Sequence, residues 1–291
     1  MKVATFSMGG ERRVGLVDDR AQTVSPLDIP VEMARAGILA LIDRNGAAPP
    51  YALSPVPLGQ VRLEAPIPRP RRNIFCVGKN YHEHAYEFAR SGFDSSASAG
   101  AVPKDPIVFS KVPETVIATQ ESIVIDSKVS AAIDYEAELA VIIGKPGRGI
   151  SREAAFDHVW GYTIVNDVTA RDLQGKYSQW LIGKSQDTFC PMGPWAATKD
   201  ELDIENAGIR CFVNGDLRQN SRIGQLIFDI PTIIATLSQG LTLHAGDIIA
   251  TGTPAGVGIG FDPPRYLRAG DIVRIEIDGI GVLENGCRER A

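Results

Sequence analysis

The chain has 291 residues, of which 44% are hydrophobic and 22% are charged, and its formal net charge is −5. This composition is typical of a globular protein that can bury a large core. The acidic balance argues against nucleic-acid binding, and the longest apolar runs are too short to cross a bilayer. The amino-terminal residues carry charges where a signal peptide needs an apolar block, so we expect a cytoplasmic protein without membrane contacts.

Residues 1–70 are predicted to form a small amino-terminal α/β domain. The segments "KVATF" and "RRVGLVDD" predict a β-hairpin, and "VEMARAGILALIDRNG" has helical spacing and a glycine near its end. The later segment "APIPRPRR" is typical of a linker, because proline fixes φ and removes a hydrogen-bond donor. We therefore place a domain boundary near residue 70, with a second domain over residues 71–291.

Short strands dominate the second domain. Strands are predicted at "NIFCVG", "PIVFSK", "SIVID", "EAELAVIIG", "VWGYTIVND", "IRCFVNG", "DIIATGTP" and "DIVRIEID". Helical patterns are fewer and occur at "NYHEHAYEFARSG", "SREAAFDH" and "DIPTIIATLSQG". Because the strands do not alternate regularly with helices, the sequence predicts a β-rich α+β fold rather than a doubly wound sheet.

Two glutamates stand in the predicted strand "DYEAELAVIIG", residues 134–144. Glu136 and Glu138 share one face, since strand side chains alternate, and burying two like charges requires a neutralising partner. The spacing alone is more typical of an exposed strand edge. Asp167 ends another apolar strand, and three carboxylates are a ligand set for Mg²⁺, Mn²⁺ or Ca²⁺. We expect a divalent cation, rather than a lysine or arginine, to neutralise the pair.

The segment "NYHEHAYEF", residues 80–88, predicts a helix with Asn80 as its cap. His84 and Glu87 are spaced i, i+3 on that helix and therefore share a face. A histidine held by a carboxylate is an oriented general base. The alternative is an incidental pair on a solvated helix face.

Three further features have weaker chemical meaning. The loop "ATGTPAGVGIG" over 250–260 allows close backbone approach to a ligand but lacks the G-K-[ST] of a phosphate-binding loop, and a plain turn is the alternative. Lys184 precedes a segment broken by prolines, where a lone lysine is usually a surface residue. Cys190 could act as a nucleophile, but no histidine lies near it in sequence, and the four cysteines are expected to be reduced.

Five segments in chain order resemble the fumarylacetoacetate hydrolase family, in particular its acylpyruvase-like branch. They are "VGKNYHEHAYE", "DYEAELAVIIG", "GYTIVNDVTARDLQ", "GKSQDTFCPMGPW" and "GDIIATGTPAGVG". The resemblance covers roughly residues 71–288. It implies a β-roll catalytic domain, a small amino-terminal domain and a homodimer.

Carried over by position, the resemblance implies that Glu136, Glu138 and Asp167 bind Mg²⁺ or Mn²⁺. It also implies that His84 and Glu87 form a catalytic dyad on a lid helix and activate a water molecule. Each assignment follows from the matching motif positions.

The remaining assignments concern the substrate. By the same resemblance, Arg171, Gln174 and Lys184 lie around the metal and the substrate oxygens, and Lys184 or Gln174 stabilises an oxyanion. Thr253 holds a substrate carboxylate. Residues 89–106 form an insertion longer than is usual in compact acylpyruvases, and we expect it to shape the lid.

The activity expected from this resemblance is hydrolysis of a carbon–carbon bond in a 2,4-diketo acid of the acylpyruvate or fumarylpyruvate type, as in aromatic catabolism. The products would be pyruvate and a carboxylic acid. The same site could instead decarboxylate oxaloacetate or isomerise 2-hydroxyhepta-2,4-diene-1,7-dioate, and these alternatives stay open. A metabolite-binding protein without catalysis is a more remote alternative.

Overall fold

The computed structural model describes residues 1–44, 50–90, 92 and 102–291. Most of the insertion expected to shape the lid, at residue 91 and over 93–101, lies outside these described residues. Within the described ranges, no helix is both long enough and apolar enough to pass through a membrane.

Strands are the main elements of the structure. They are β1 Lys2–Met8, β2 Glu11–Asp18, β3 Thr23–Pro26, β4 Val56–Pro57, β5 Arg62–Glu64, β6 Ile74–Gly78, β7 Ile107–Lys111, β8 Val116–Ile117, β9 Ile123–Ile125, β10 Ile133–Asp134, β11 Ala137–Ile143, β12 Val159–Asn166, β13 Thr169–Ala170, β14 Cys190–Thr198, β15 Gly208–Val213, β16 Asp216–Arg222, β17 Ile248–Ala250, β18 Ile272–Ile277 and β19 Gly281–Glu289. The α-helices are α1 Val31–Ala34, α2 Leu39–Ile42, α3 His82–Arg90, α4 Ala155–His158, α5 Arg171–Lys176, α6 Leu181–Lys184 and α7 Ile230–Gly240.

Two sheets pack around a shared core. The large sheet has twelve strands in the order β4-β3-β2-β1-β14-β12-β11-β17-β6-β7, with β5 and β8 added to β1 and β14. The small sheet has the order β16-β15-β18-β19-β9. Leu139 and Ile164 of the large sheet lie in the same buried cluster as Ile209 and Ile275 of the small sheet. The β-rich α+β fold predicted from the sequence is confirmed.

The amino-terminal strands extend the large sheet. The predicted hairpin is present as β1 and β2, with Thr5 opposite Val14. Strand β1 also pairs with β14 through Lys2 opposite Ala197, so hydrogen bonds join the first residues to the rest of the sheet. The domain boundary near residue 70 and the homodimer stay predictions.

The single helix predicted over residues 31–46 is wrong. The structure has two short helices, α1 and α2, separated by Gly37, whose φ of +65° lies in the left-handed region. The backbone N–H of Ile38 donates to the carbonyl of Pro66 over 3.0 Å. The chain therefore turns toward Pro66, where it makes tertiary contacts that a continuous helix could not make.

The prediction of a proline-broken loop after Lys184 is also wrong in its second half, which forms strand β14. Strand β14 is nine residues long and buried along its whole length. It lies between β1 and β12, and the register between β12 and β14 shifts between Tyr162 and Ile164, near Pro194. Such an irregularity accommodates a residue that cannot donate to the ladder.

Four neighbouring strands bring distant segments to one edge of the large sheet. Strand β11 is antiparallel to β12 and β17, with Ala137 opposite Asn166 and Ala140 opposite Ala250. Strand β17 is parallel to β6, with Ala250 beside Cys76. The start of β11 therefore lies beside the ends of β12, β17 and β6, where the chemically distinctive motifs begin.

Leu139 tests the contribution of this core to stability. Its side chain is fully buried between the sheets, so Leu139→Ala should lower the free energy of unfolding by about 2–5 kcal/mol. Urea denaturation measures the change. The matched control Leu217→Ala, at a position that is 52% exposed, should change it by less than about 0.5 kcal/mol. Equal costs at both positions would contradict the assignment of the core.

Candidate active site and divalent-cation site

Three buried carboxylates meet at the start of β11. Glu136, Glu138 and Asp167 offer oxygens that all lie within 4.8 Å of one another. The pairing of Glu138 with Val165 places Asp167, just after β12, beside Glu136. The backbone N–H of Asp167 donates to the carbonyl of Glu136 over 2.9 Å, which fixes the two segments together. The sequence-predicted carboxylate group is thus present as a cluster.

Two cationic side chains neutralise Glu136. Lys184 Nζ lies 2.8 Å from Glu136 Oε2 and 2.7 Å from Asp167 Oδ2, and Arg171 Nη1 lies 2.7 Å from Glu136 Oε1. Burial raises the pKa of Glu136, but Lys184 and Arg171 outweigh burial and lower this pKa to about 2. The expectation that neither a lysine nor an arginine neutralises the glutamates is therefore wrong for Glu136. Lys184 is a buried site residue, not a surface lysine.

Glu138 has a different electrostatic environment. One of its oxygens accepts a hydrogen bond from the backbone N–H of Gly252 over 2.8 Å. Burial, and after it the negative charges of Asp167 and Glu136, raise the pKa of Glu138 well above its usual range. The cations of the protein therefore leave part of the negative charge uncompensated. Clustered carboxylate oxygens with uncompensated charge fit a hard divalent cation.

Arg171 is held by an aspartate that the sequence reasoning missed. Its Nε donates to Asp134 Oδ2 over 2.8 Å, and Asp134 also accepts from the backbone N–H groups of Gly258 and Ile259. Burial lowers the pKa of Arg171, but Asp134 and Glu136 raise it above its ordinary value. Asp134 lies within the stretch that contains the two glutamates, and its acidic side chain in an apolar strand was the available signal.

One nitrogen of the Arg171 guanidinium remains available for a ligand. Its Nη1 donates to Gln174 Oε1 over 3.1 Å, whereas Nη2 is buried and has no hydrogen-bond partner among the described residues. Both side chains line the same cavity as Glu136 and Glu138. The structure thus brings the predicted substrate-binding residues Arg171 and Gln174 to the site.

Lys111 is a second residue that the sequence reasoning missed. Its Nζ lies 2.6 Å from Asp167 Oδ1 and 3.0 Å from the carbonyl of Val168, and it also donates to the carbonyl of Lys184. Lys111 therefore links one carboxylate oxygen of Asp167 to the end of α6. A lysine that ends an apolar strand gives no sequence signal of these contacts.

The predicted dyad is assembled on α3. His84 Nδ1 lies 3.1 Å from Glu87 Oε2, and Glu87 Oε1 accepts from the backbone N–H of Gly256 over 3.0 Å. His84 is buried and lines the cavity. Asn80 does not cap the helix as predicted, because its Oδ1 accepts from the backbone N–H of Phe228 and its Nδ2 donates to the carbonyl of Thr251, over 2.7 Å in each case. The glycine-rich loop and α3 are therefore hydrogen-bonded to each other.

Thr253 lines the same cavity, and a glutamine determines its orientation. Gln219 Nε2 donates to Thr253 Oγ1 and to the carbonyl of Pro254, over 2.7 Å in each case, while Gln219 Oε1 accepts from the N–H of Ala137. Because Thr253 Oγ1 accepts from Gln219, its own proton can point to a ligand. Gln219 lies in a mostly polar strand, which hid its role in the sequence.

The cavity shared by these groups is small. Its free volume is about 10 Å³, room for about one water molecule. Phe88, Phe109 and Trp180 form an aromatic wall around it, with Trp180 edge-on to both phenylalanine rings. Because even a four-carbon acid is larger than this space, side chains around the cavity must move before any substrate binds.

The four cysteines are free and buried. Burial raises the pKa of Cys190 to about 12, so its thiol is protonated at neutral pH. A thiolate nucleophile at Cys190 is therefore not supported.

The contrast between the glutamates gives a paired prediction. Glu136→Gln should lower the free energy of unfolding without metal by about 3–5 kcal/mol, because Lys184 and Arg171 lose a buried partner. Glu138→Gln should leave that stability unchanged or raise it, because ionisation of a carboxyl group is unfavourable there and an amide cannot ionise. Both variants should lose the increase in melting temperature that Mg²⁺ gives the wild type. Urea and thermal denaturation, with chelator or with Mg²⁺, measure these effects, and equal destabilisation by both variants would contradict the charge assignment.

Metal binding should depend on pH through Glu138. Because the pKa of Glu138 is raised, its proton competes with the cation, so affinity for Mg²⁺ should fall as the pH falls below this raised pKa. Each pH unit there should weaken binding about tenfold for one displaced proton. Calorimetric titration in buffers of different ionisation enthalpy counts the released proton. A pH-independent affinity without proton release would be the opposing result.

Comparisons with known proteins agree with this fold. The family model described as "Fumarylacetoacetate (FAA) hydrolase C-terminal" matches residues 73–288. Oxaloacetate tautomerase YisK of Bacillus subtilis (strain 168) is 52% identical over 229 residues, which cover 78% of this chain and 73% of the relative.

Two solved structures cover the whole of this chain. Fumarylacetoacetate hydrolase from psychrophilic Exiguobacterium antarcticum has a TM-score of 0.85 at 37% identity, with 100% of both chains covered. Maleylpyruvate hydrolase from Sphingobium sp. SYK-6, in complex with manganese(II) ion and pyruvate, has a TM-score of 0.77 at 30% identity, again with 100% of both chains covered. The resemblance seen in the sequence is confirmed, and the chain belongs to the fumarylacetoacetate hydrolase family of enzymes.

Proposed function

We propose that the protein interconverts the keto and enol forms of oxaloacetate, with Mg²⁺ or Mn²⁺ as its cofactor. One observation carries the proposal: Glu136 and Glu138 of the carboxylate cluster line the same cavity as His84, whose ring Glu87 orients. A general base beside a site for a divalent cation is the arrangement that proton transfer on a 2-keto acid requires. The 52% identity to an oxaloacetate tautomerase supports enolate chemistry on oxaloacetate over the hydrolysis expected from the sequence.

Glu136, Glu138 and Asp167 would hold the cation, which when bound supplies Lewis-acid polarisation of the 2-keto group and offsets the negative charge of the enolate. Keto–enol interconversion moves a proton between C3 and the keto oxygen. His84 is the group placed to take this proton. With Nδ1 directed to Glu87, its Nε2 is left as the basic atom.

The neighbouring polar groups would bind and orient the substrate. Arg171 Nη2 and the Thr253 hydroxyl can donate hydrogen bonds to a substrate carboxylate. Burial lowers the pKa of Lys184, but Asp167 and Glu136 raise it above its ordinary value, so Lys184 remains a charged donor. Gln174 adds an amide on the same side as Arg171.

Hydrolysis of an acylpyruvate is the second candidate, because the dyad also fits activation of water. The cavity has room for about one water molecule, and His84 lines it. One solved protein of similar fold is named a maleylpyruvate hydrolase. Decarboxylation of oxaloacetate would pass through an enolate without an activated water.

The proposal predicts a specific kinetic result. When enol-oxaloacetate in aprotic solvent is diluted into buffer with Mg²⁺, wild-type protein should accelerate the loss of enol absorbance, and chelator should abolish this effect. His84→Ala should slow the enzymatic rate by about 10²–10⁴-fold, because it removes the general base. The matched control His244→Ala, at an exposed position, should keep the wild-type rate.

Parallel assays separate the candidates. Pyruvate formation reports decarboxylation, and loss of diketone absorbance with an acylpyruvate reports hydrolysis. Acylpyruvate cleavage without any effect on enol-oxaloacetate would favour the second candidate. Full tautomerase activity in His84→Ala would disprove the role of the dyad.

A further inference from the structure

The glycine-rich loop touches two carboxylates of the protein itself. The backbone N–H of Gly256 donates to Glu87 Oε1 over 3.0 Å. The N–H groups of Gly258 and Ile259 donate to the two oxygens of Asp134 over 2.6 and 3.0 Å. The sequence suggested that this loop allows close approach to a ligand, whereas the structure shows close approach to side chains that orient the active site.

Gly260 leaves space for one of these carboxylates. It ends a short 3₁₀ turn over Gly258–Gly260. A Cβ built on Gly260 would overlap the carboxylate of Glu87, and the three atoms nearest to that Cβ all belong to Glu87. The φ of Gly260 is not in the left-handed region, so alanine is compatible with its backbone. The space for Glu87, rather than the backbone conformation, therefore requires a glycine here.

The loop is held in place from behind. Asp134, which is fully buried, accepts the two N–H groups described above, and the hydroxyl of Tyr135 donates to the carbonyl of Gly256 over 2.9 Å. The φ of Gly256 is +101°, and a Cβ at this position would overlap the backbone carbonyl of Arg218 in β16. A group that needs space at the end of the loop must therefore displace the flexible side chain opposite it rather than the loop.

Glu87 links this loop to the base. Its Oε1 accepts from the loop, and its Oε2 lies 3.1 Å from His84 Nδ1. A carboxylate in such a position fixes both the tautomer and the orientation of an imidazole ring. We propose that Gly260 is a positioning residue: by leaving space for the Glu87 carboxylate, it fixes the ring of His84 with Nε2 as the basic atom. This inference rests on the proposed function, in which His84 is the base.

Gly260→Ala tests this role by separating kcat from binding. Because the new Cβ displaces the Glu87 carboxylate, kcat with enol-oxaloacetate and Mg²⁺ should fall about 100-fold, as for a catalytic group misplaced by about 1 Å. KM should change by less than about twofold, since the groups that bind the substrate stay in place. Calorimetric titration with 3,3-difluorooxaloacetate, a dicarboxylate that cannot enolise, should likewise give the wild-type affinity. Equal losses of kcat and of affinity would overturn the inference.

A double-mutant cycle tests whether Gly260 acts through Glu87. In a Glu87→Ala background the obstructed carboxylate is gone, so adding Gly260→Ala should lower kcat by less than about twofold. A further loss as large as that in the wild-type background would show that Gly260 acts on the fold instead. The matched control Gly240→Ala, at the end of α7, should keep the wild-type kcat, because a Cβ there meets no atom within 4 Å.

A spectroscopic measurement separates this inference from the proposed function, because it needs no turnover. The ¹⁵N chemical shifts of the neutral His84 ring should show a proton on Nδ1 in the wild type and a mixture of the two tautomers in Gly260→Ala. The same tautomer in both proteins would overturn the role of Gly260. If the tautomer changes as expected but the wild type does not accelerate the loss of enol-oxaloacetate, the inference holds and the tautomerase proposal fails.

Discussion

The burial of three carboxylates within 4.8 Å of one another is the constraint on which the rest of the site depends. Unpaired charges of this kind would destabilise the fold, so the surrounding chain supplies counter-charges at fixed positions. Lys184 forms ion pairs with both Glu136 and Asp167, and Arg171 pairs with Oε1 of Glu136. Glu138 keeps a raised pKa in spite of them. The site is therefore balanced for most of its charge, and the residual charge favours binding of a cation.

Sheet geometry explains how a chain of ordinary composition assembles such a cluster. The antiparallel pairing of β11 with β12, and the pairing of β17 with both β11 and β6, bring four strand ends to one edge. The central strands are apolar and buried on both sides. The ionic groups are thus positioned by the hydrophobic core, while α3 adds the dyad and is held by Asn80 and by the bond from Gly256 to Glu87.

The sequence predicted the features that depend on local pattern. The hairpin β1–β2, the apolar strands and the shared face of His84 and Glu87 follow from spacings of a few residues. It failed where distant contacts decide, as in β14, whose prolines are accommodated by an irregular register with β12. Lys111 bonds to Asp167, 56 positions away, and Gln219 to Thr253, 34 positions away. No local pattern reveals such partners, and the choice among enolate reactions is equally hidden.

Which of the candidate enolate reactions occurs depends on what else the cavity can hold beside the substrate. An enolate forms in each of the candidate reactions, so the carboxylate cluster and its cation would serve all of them. Hydrolysis also requires a water molecule within reach of His84, together with an acyl group beyond C3. The aromatic wall of Phe88, Phe109 and Trp180 borders the space that both would have to occupy. A short 2-keto acid displaces this wall less than a long acylpyruvate does, and keto–enol interconversion needs no water molecule, so the dyad can act on such a substrate as a proton carrier alone.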